Sequence, residues 1–348
     1  MVVEDCMKKE FEERVRKEID GKRILITGGT GSFGHEITSS LIQFAPKEIL
    51  LFSNDENQQY KMSVEYEKYH GLLKFVQGDV RDYMRVVDAT RGVDIVVHAA
   101  ALKHVNMCEN HPFDAVQTNI IGAYNVKMAS IQNGVKKVIA IGTDKAVKPV
   151  NVMGMTKALQ ERLMLSNYVG HSDTKFVCVR YGNVVGSRGS VIPFFYERLK
   201  KKLPLPITDA KMTRFMLTLP ETIELTYQAL METKDNEVFV KKMPACLLTD
   251  LAKVMGKELG NDDNYPTDIV GVRPGEKIHE TLVSEEEMKR AVETEGNYII
   301  YPFGKLRESK TVSGLDEYTS ANTRRMDRAE IKELLKKTGW LSEEPRAF

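Results

Sequence analysis

Residues 22–34 read KRILITGGTGSFG, and the fold prediction rests on them. A short β-branched run ends at glycines, and Gly28, Gly31 and Gly34 stand three residues apart before a helical stretch. Glycines at this spacing let the backbone approach a pyrophosphate, which then lies on the N-terminus of the helix. An ordinary tight turn is the alternative, but the strand–turn–helix context favours a dinucleotide-binding loop.

The sequence on both sides of this loop alternates strands and helices. Nearly continuous apolar runs recur along the chain: KEILLFS, LKFVQGD, DIVVHAAA, KKVIAIGTD and KFVCVRYGNVVG. Helical stretches such as FGHEITSSLIQF separate them, which indicates a parallel sheet covered on both faces. The predicted fold class is therefore α/β, a Rossmann-type doubly wound parallel sheet with a smaller C-terminal substrate-binding lobe.

Three regions are predicted along the chain. Residues 1–20 form an amphipathic helix, which we expect to pack on the body or on a neighbouring subunit rather than on a membrane. Residues 21–182 form the dinucleotide-binding domain. Residues 183–348, where prolines cluster and strands shorten, form the substrate lobe, and the pattern leaves open that the chain returns to the sheet within it.

Composition excludes several classes of protein. The 348 residues carry 50 basic and 49 acidic side chains, so no overall charge favours nucleic acid or a membrane surface. The chain has no uncharged apolar run of roughly 18 residues, and charges interrupt its N-terminus, unlike a signal peptide. The four cysteines show neither CxxC pairing nor metal-ligand spacing. We expect a cytoplasmic protein with reduced thiols and no metal, nucleic acid or membrane partner.

The segment GTDKAVKPVNVMGMTK, residues 142–157, raises the main chemical question. Its Thr143 and Lys157 resemble the hydroxyl and lysine of a short-chain dehydrogenase active site, but Met153 stands where such enzymes carry tyrosine. A thioether cannot exchange a proton. Asp144 and Lys145 directly follow Thr143 at the carboxyl end of an apolar strand, where doubly wound folds bind ligands. The alternative is a helix-capping Thr/Asp pair with a solvated lysine.

Seven segments, in chain order, carry a wider resemblance: TGGTGSFG, GDVRD, HAAALKHV, TDKAVKPVN, RYGNVVGSRGSVIP, TDAKMTRFM and VGVRPGEKIHETL. They resemble the extended short-chain dehydrogenases/reductases of surface-polysaccharide synthesis, and most of all the UDP-N-acetylglucosamine 4,6-dehydratases, in a branch with a Thr–Met–Lys set. The resemblance implies an NAD(P)-dependent lyase that makes a UDP-4-keto-6-deoxy-N-acetylhexosamine for surface glycan or nonulosonic acid synthesis. It also implies a homo-oligomer, and it leaves open whether C5 is retained or inverted.

The resemblance assigns roles at the reacting carbons. Asp144 protonates the leaving 6-hydroxyl, Lys145 takes the C5 proton, Lys157 holds the nicotinamide ribose and Thr143 hydrogen-bonds the 4-oxygen. Asp144 or Lys145, directly or through Thr143 or a water, must then take the O4 proton. Met153 is expected to pack against the sugar or nicotinamide and to tolerate replacement by tyrosine. These roles require a raised pKa for Asp144, and for Lys145 a pKa lowered by burial or by Lys157.

The implied cofactor is NADP, tightly bound and recycled, with NAD as the alternative because Asn54 stands where many members carry arginine. The predicted cofactor-binding residues are Gly28, Thr30, Gly31, Ser32, Phe33, Gly34, Ser53, Asn54, Asp55, Asp79, Val80, Ala99, Ala100, Ala101, Lys103, Asn119 and Lys157. The predicted contacts to UDP-N-acetylglucosamine are Lys103, Asn183, Ser190, Val191, Thr208, Arg214, Arg273 and Glu276. As alternatives, Asp79 is a helix N-cap and the arginines are solvated surface groups.

Two rival functions remain at this point. A UDP-hexose 4-epimerase or reductase shares the fold but needs no acid–base pair at C5, so Met153 beside an intact Asp144–Lys145 pair argues against it. A noncatalytic dinucleotide-binding protein would explain the missing tyrosine, but the retained Lys157 argues against a loss of the catalytic residues.

Overall fold

The computed structural model describes residues 2–167, 172–187, 189–234, 236–302, 314 and 316–342, with side chains from residue 8 onward. The end of the predicted lobe, residues 343–348, and the side chain of Cys6 lie outside this description. The strands are β1 Arg23–Thr27, β2 Glu48–Ser53, β3 Leu73–Gln77, β4 Ile95–His98, β5 Lys137–Ile141, β6 Lys175–Arg180, β7 Asn183–Val184, β8 Leu205–Ile207, β9 Thr213–Leu217, β10 Glu237–Lys241, β11 Ala245–Leu247, β12 Thr267–Ile269, β13 Thr281–Val283, β14 Ala291–Glu293, β15 Asn297–Ile300 and β16 Tyr318–Thr319.

Helices connect these strands. They are α1 Val2–Ile19, α2 Ser32–Leu41, α3 Glu56–Glu65, α4 Tyr83–Thr90, α5 Val105–Asn110, α6 Pro112–Ala115, α7 Gly122–Gln132, α8 Val152–Leu165, α9 Val191–Lys200, α10 Leu219–Glu232, α11 Leu248–Gly260, α12 Glu285–Met288 and α13 Arg328–Lys337. Short 3-10 turns occur at Ile42–Phe44, Glu67–Tyr69 and Asp144–Ala146, and Val116–Ile121 is a π-helical turn before α7.

The central sheet has the order β14-β15-β10-β6-β5-β4-β1-β2-β3 in the described chain. Strands β1 to β6 and β10 run parallel to one another. Strand β15 is antiparallel to β10, and β14 is antiparallel to β15. Leu25 of β1 pairs with Leu50 on one side and Val96 on the other, and all three are buried. Strand order reverses at β1, so the crevice at the carboxyl ends of β1 and β4 is where a ligand binds in such folds. The predicted fold class is confirmed.

The C-terminal part contributes strands both to the central sheet and to a separate sheet. Strands β10, β14 and β15 return to the central sheet, whereas β7, β9 and β11 form a separate three-stranded sheet. A second apolar core, which includes Ile192, Phe195, Leu251 and Trp340, lies under this lobe. The domain boundary at residue 182 stays a prediction, since chain beyond it completes the central sheet.

The N-terminal helix α1 packs on the body. Val15 and Ile19 are buried in the main core, Arg14 lies 3.6 Å from Glu232 of α10, and Lys137 of β5 pairs with Glu18 at 2.9 Å. Within the described residues, no helix combines the length and the apolar character needed to cross a membrane.

Candidate active site

The glycine loop between β1 and α2 is shaped to receive a phosphate group. Gly28 has φ +68°, and a Cβ built there would meet the backbone nitrogen of Ala100 at 2.8 Å, so neither its conformation nor its surroundings accept a side chain. Helix α2 begins after Gly31, which makes no side-chain capping bond to the first N–H groups of the helix. These donors remain for an anion, which is how a dinucleotide pyrophosphate binds such a loop.

At the end of β2, the predicted ribose-binding residues divide into two groups. The Ser53 and Thr30 hydroxyls lie 2.8 Å apart and link β2 to the glycine loop. Asp55 instead caps α3, since its carboxylate accepts a hydrogen bond from the Gln58 amide at 3.0 Å. Asp55 therefore turns toward its own helix, although the sequence prediction placed it at the cofactor.

Asn54 belongs to a charged cluster with Asp79 and Arg81. The Asn54 amide donates to Asp79 at 3.0 Å, and the Arg81 guanidinium pairs with the same carboxylate at 2.6 Å. Burial raises the pKa of Asp79, but the hydrogen bonds from Arg81 and Asn54 outweigh it and hold the pKa below its ordinary value. Asp79 is not the N-cap of α4; Asp82 is. Sequence reasoning missed Arg81, although it lies within the quoted GDVRD segment.

A neutral histidine lies at the end of β4. His98 Nδ1 is 2.8 Å from Thr27 Oγ1, and Nε2 is buried without a hydrogen-bond partner in the described part of the chain. Burial, with a smaller effect of the Lys157 charge, lowers the pKa of His98 to about 3. The following Ala99 and Ala100 bind back to β1 through their amides. His98 thus places an unpartnered buried polar atom at the end of β4, next to the strand that leads into the glycine loop.

Asn119, predicted to contact the cofactor, is fully buried. Its amide donates to the Leu102 carbonyl and to Thr156 Oγ1, both at 3.0 Å, and its oxygen accepts from the Leu102 amide at 2.8 Å. The side chain therefore ties the segment after β4 to α8, and this is the role that its geometry supports.

The Thr143–Asp144–Lys145 turn follows β5 and points its side chains at one another. Thr143 Oγ1 accepts from the Lys145 amide at 3.3 Å and donates to Asp144 Oδ1 at 3.0 Å. Lys145 Nζ lies 3.1 Å from the same Oδ1. The Asp144 side chain is 1% exposed and that of Lys145 24%. Thr143 does cap the turn, as the alternative supposed, but the lysine is paired rather than solvated.

The pKa values of the two lysines of the site shift in opposite directions, and the shift of Lys145 is the reverse of the one expected. Burial lowers the pKa of Lys145, but the carboxylates of Asp144 and Glu280 outweigh it and raise the pKa above its ordinary value. Burial lowers the pKa of Lys157 to about 8, although Cys178 and Glu161 oppose the shift. Lys157 Nζ donates to the Ile141 carbonyl and to Gln160, both at 2.7 Å. Lys157 does not act on Lys145 in the way the sequence argument required.

Met153 is packed in a small apolar cluster. It is buried with Cys108 and Ala115, and the partly buried Val105 and Val152 lie against them. Its partners are thus protein side chains of α5, α6 and α8. The sequence prediction gave it a packing role against the sugar or nicotinamide, and that contact stays a prediction.

A cleft of about 200 Å³ opens beside this turn, and Lys145 lines it. Most of the predicted substrate residues line it too: Asn183, Ser190, Val191, Arg214, Arg273 and Glu276. Lys103 and Thr208 are not in its described lining. Asn151, the N-cap of α8, donates to the Gly275 carbonyl at 2.8 Å and so holds the loop of Arg273 and Glu276 against the rim. The site thus unites segments from both halves of the chain.

Four buried polar atoms around this cleft have no hydrogen-bond partner among the described residues. They are Asp144 Oδ2, Asn183 Oδ1, Ser190 Oγ and Glu280 Oε2. Buried polar atoms in proteins are nearly always satisfied, so a cluster of orphans indicates a polar ligand. No group of three or more His, Cys, Asp or Glu side chains suited to a metal ion occurs in the described residues.

Glu280 is the site residue that sequence reasoning missed. Its carboxylate is 4% exposed and lies 3.6 Å from Lys145 Nζ and 3.8 Å from Arg214 Nε. Arg214 is itself held by the carbonyls of Thr213 at 2.8 Å and Ile278 at 3.2 Å. The sequence signal was weak: an acidic residue directly before a short apolar run, inside the quoted segment VGVRPGEKIHETL.

Comparison with known proteins shows the family to which the chain belongs. Residues 24–302 match the polysaccharide biosynthesis protein family, and residues 307–341 match the C-terminal region of polysaccharide biosynthesis proteins. The chain is 42% identical over 329 residues to the "Uncharacterized membrane protein MJ1061" of Methanocaldococcus jannaschii, covering 92% of this chain and 97% of the relative. It is also 42% identical over 337 residues to a UDP-glucose 4-epimerase of Rickettsia canadensis, covering 93% and 98%.

Solved structures agree with the fold. Pen from Bacillus thuringiensis superposes with a TM-score of 0.85 at 38% identity, covering 92% of this chain and 99% of that one. The dTDP-glucose 4,6-dehydratase DesIV of Streptomyces venezuelae, at 21% identity, shares the fold with a TM-score of 0.67 over 74% of this chain and 86% of that one. The sequence match over most of the chain shows that it belongs to the polysaccharide biosynthesis protein family.

Proposed function

We propose that the protein is a UDP-N-acetylglucosamine 4,6-dehydratase that makes a UDP-4-keto-6-deoxy-N-acetylhexosamine. The observation that supports this most strongly is the contact, at 3.1 Å, between the buried Asp144 carboxylate and Lys145, which lines a cleft together with Arg214 and Arg273. Dehydration needs a base at C5 and an acid at O6, whereas 4-epimerisation needs neither. The relatives named as UDP-glucose 4-epimerases favour the second candidate, a UDP-hexose 4-epimerase.

A nicotinamide cofactor supplies the hydride chemistry when bound, since it accepts hydride from C4 and returns it to C6. The chain supplies the proton transfers. Thr143 Oγ1 donates to Asp144 Oδ1 at 3.0 Å, so the hydroxyl can accept the O4 proton while it passes its own proton to the carboxylate. Asp144 then holds the proton that it later gives to the departing 6-hydroxyl. One relay therefore carries the O4 proton to O6 without a tyrosine.

Lys145 takes and returns the C5 proton in this scheme. In the free protein it is an ammonium ion, because Asp144 and Glu280 raise its pKa. When Asp144 accepts the O4 proton, Lys145 loses its nearest negative charge and its pKa falls. The ammonium, 24% exposed, releases its proton to water in the cleft, and the neutral amine then takes the C5 proton and later returns it. Once Asp144 is again a carboxylate, the amine regains from water the proton that it released, so the protons taken and given balance over the cycle.

The diphosphate and the sugar would bind across the cleft. Arg214 and Arg273 are guanidinium groups, which bind phosphate oxygens in pairs, and Glu276 accepts from a ribose hydroxyl. Asn183 and Ser190, whose side-chain oxygens are buried without partners in the described chain, offer hydrogen bonds to the nucleotide-sugar. The alternative that the arginines are solvated surface groups does not fit Arg214, which is buried, whereas Arg273 is exposed at the rim of the cleft.

For the cofactor we propose NADP, tightly bound and recycled, with NAD as the alternative. Arg81 places a cation beside Asn54, where a 2′-phosphate would lie, but Asp79 already shares its charge. The cofactor released from purified protein by acid, identified by mass, decides between the two. Arg81→Ala should weaken the binding of NADP more than that of NAD.

The protein is further proposed to be a cytoplasmic homo-oligomer. Phe113 of α6 and Met155 and Leu159 of α8 are exposed apolar side chains, of the kind that association would cover. Light scattering with size-exclusion chromatography reports the assembly. Phe113→Glu should shift it toward the monomer.

The product of the reaction with UDP-N-acetylglucosamine tests the main proposal. A dehydratase yields a 4-keto-6-deoxy sugar, identified by a new C6 methyl signal in the NMR spectrum and a mass lower by one water. UDP-N-acetylgalactosamine, with no change in mass, would instead establish the epimerase. Retained cofactor with no turnover of either UDP-N-acetylglucosamine or UDP-glucose would favour the noncatalytic alternative.

A further inference from the structure

Glu280 is a buried carboxylate, directly before β13, that faces three cations from three parts of the chain. Lys145 Nζ, on the 3-10 turn, lies 3.6 Å from its Oε1, and Arg214 Nε, on β9, lies 3.8 Å from the same atom. Lys277 Nζ lies 4.0 Å from Oε2. Each distance exceeds that of a good hydrogen bond, so the attraction between these groups is mainly that of their charges.

The backbone holds Glu280 in place. Its amide donates to Ser320 Oγ at 2.9 Å, and the Ser320 amide donates to the Glu280 carbonyl at 2.8 Å. Ser320 Oγ also lies 2.7 Å from Thr213 Oγ1, at the start of β9. The carboxylate is thus presented to the cleft by a fixed backbone, while its Oε2 has no hydrogen-bond partner among the residues described.

The charges that face Lys145 come from three elements. Asp144 lies on its own turn, Glu280 precedes β13 and Arg214 lies on β9. Lys277 Nζ faces Glu280 at 4.0 Å and donates to the Val147 carbonyl at 2.6 Å, and the like charges of Lys277 and Lys145 repel each other across this cluster. In the scheme above Asp144 becomes neutral during turnover, which leaves Glu280 as the negative charge that acts on Lys145 throughout.

We propose that Glu280 is a positioning residue that holds the Lys145 ammonium at the cleft and sets the pH at which Lys145 loses its proton. Lys145 must both take a proton from C5 and return it, so its pKa must be low enough for the amine to form and high enough for the amine to accept the C5 proton. Without Glu280 the amine would form too readily and would return the proton poorly. This inference deepens the proposed function. It rests on that function only because it takes Lys145 to be the base at C5.

Titration of Lys145 itself tests the inference without turnover. Brief labelling of the protein with acetic anhydride at a series of pH values, followed by peptide mass spectrometry, gives the pH at which each lysine becomes reactive. In Glu280→Gln, a variant of the same shape, we expect the midpoint for Lys145 to fall by about one pH unit, the shift that a unit charge at this distance gives even in water. Glu280→Asp should give a midpoint between those of the wild type and Glu280→Gln.

Two controls make the result specific. The midpoint of Lys157, which has its own buried surroundings, should not move in the same spectra. Glu285→Gln removes an exposed carboxylate 3.5 Å from Lys148 and should leave Lys145 unchanged. An unchanged Lys145 midpoint in Glu280→Gln would overturn the inference. If the melting temperature fell at the same time, the role of Glu280 would be structural only.

Turnover then separates this inference from the proposed function. With UDP-N-acetylglucosamine, the acid limb of the pH profile of kcat/KM should move to lower pH in Glu280→Gln by the same amount as the labelling midpoint. A shifted midpoint in a protein that makes no dehydrated product would contradict the proposed function alone. A dehydratase with an unmoved midpoint would contradict the role of Glu280 alone.

Discussion

The buried ion clusters around Arg180 and around Lys145 are built differently. Around Arg180 of β6 the network is closed: the guanidinium donates to Glu161 of α8 at 2.7 Å, to Glu287 of α12 at 2.9 Å and to the Leu282 carbonyl at 3.1 Å. Around Lys145 the network is open, with a contact to Glu280 at 3.6 Å and unpartnered oxygens on Asp144 and Glu280.

The difference separates a charge cluster that stabilises the fold from one that can change its protonation. Burial raises the pKa of Glu287, but the charge and hydrogen bonds of Arg180 outweigh it and hold the pKa at about 2. The Arg180–Glu287 pair therefore keeps its charges well below neutral pH, and the Arg180 cluster joins the sheet, α8 and the C-terminal lobe. The Lys145 cluster leaves polar atoms free for a ligand and a proton.

The largest expected effect is on catalysis. Lys145→Met should lower the turnover of UDP-N-acetylglucosamine by about 10²–10⁴-fold, because the base at C5 is lost. The variant should remain folded, as judged by its circular dichroism spectrum, and should still bind UDP. Turnover within a few-fold of the wild type would remove Lys145 from the chemistry.

The corresponding change in the closed cluster should affect stability instead. Arg180→Met leaves the buried carboxylates of Glu161 and Glu287 without the cation that pairs with them, which costs about 3–5 kcal/mol of unfolding free energy. Urea denaturation measures this cost. Arg91→Met, which breaks an exposed pair with Asp88, is the matched control and should cost less than about 1 kcal/mol. Equal costs for the two variants would contradict the assignment of the Arg180 cluster.

The pH dependence of stability sharpens the same contrast. Because folding lowers the pKa of Glu287 from 4.5 to about 2, its contribution is present above pH 4.5 and is lost as the pH falls toward 2. The difference in unfolding free energy between wild type and Glu287→Gln should be about 3 kcal/mol at pH 6, from a shift of this size. It should shrink at pH 3, and a difference that is constant with pH would contradict this account.

A smaller effect is expected at the relay. Thr143→Val removes the hydroxyl that donates to Asp144 and should lower kcat by about tenfold to hundredfold, the value of one hydrogen bond to a charged group. Thr143→Ser keeps the hydroxyl and serves as the control. If valine and serine gave the same rate, the O4 proton would not pass through Thr143.

Much of the fold and part of the site follow from local sequence. The apolar strands and the glycines at positions 28, 31 and 34 specify the sheet and its phosphate loop, because strand periodicity and tight turns are local properties. The position of Asp144 and Lys145 after β5 also follows from local order. Glu276 lies in a turn-rich segment that the sequence marks, Arg214 lies on β9, and the structure brings both to the cleft.

The rest depends on contacts between distant segments. The pKa of Lys145 moves in the opposite direction to the sequence expectation because two carboxylates outweigh burial: Asp144 beside it, and Glu280, which is far along the chain and is folded against it. The return of β10, β14 and β15 to the central sheet could not be assigned from their short, unremarkable patterns. The packing of Met153 on Cys108 and Ala115 also joins distant segments, and the tolerance of tyrosine at this position stays a prediction.

The central claim is that the open cluster carries a proton to and from C5, and the reaction in deuterated water tests it most directly. The ammonium protons of Lys145 exchange with solvent, so the wild-type protein should release a 4-keto-6-deoxy product with deuterium at C5, seen by NMR. A dehydrated product that keeps hydrogen at C5, or a deuterated one made equally well by Lys145→Met, would contradict the account.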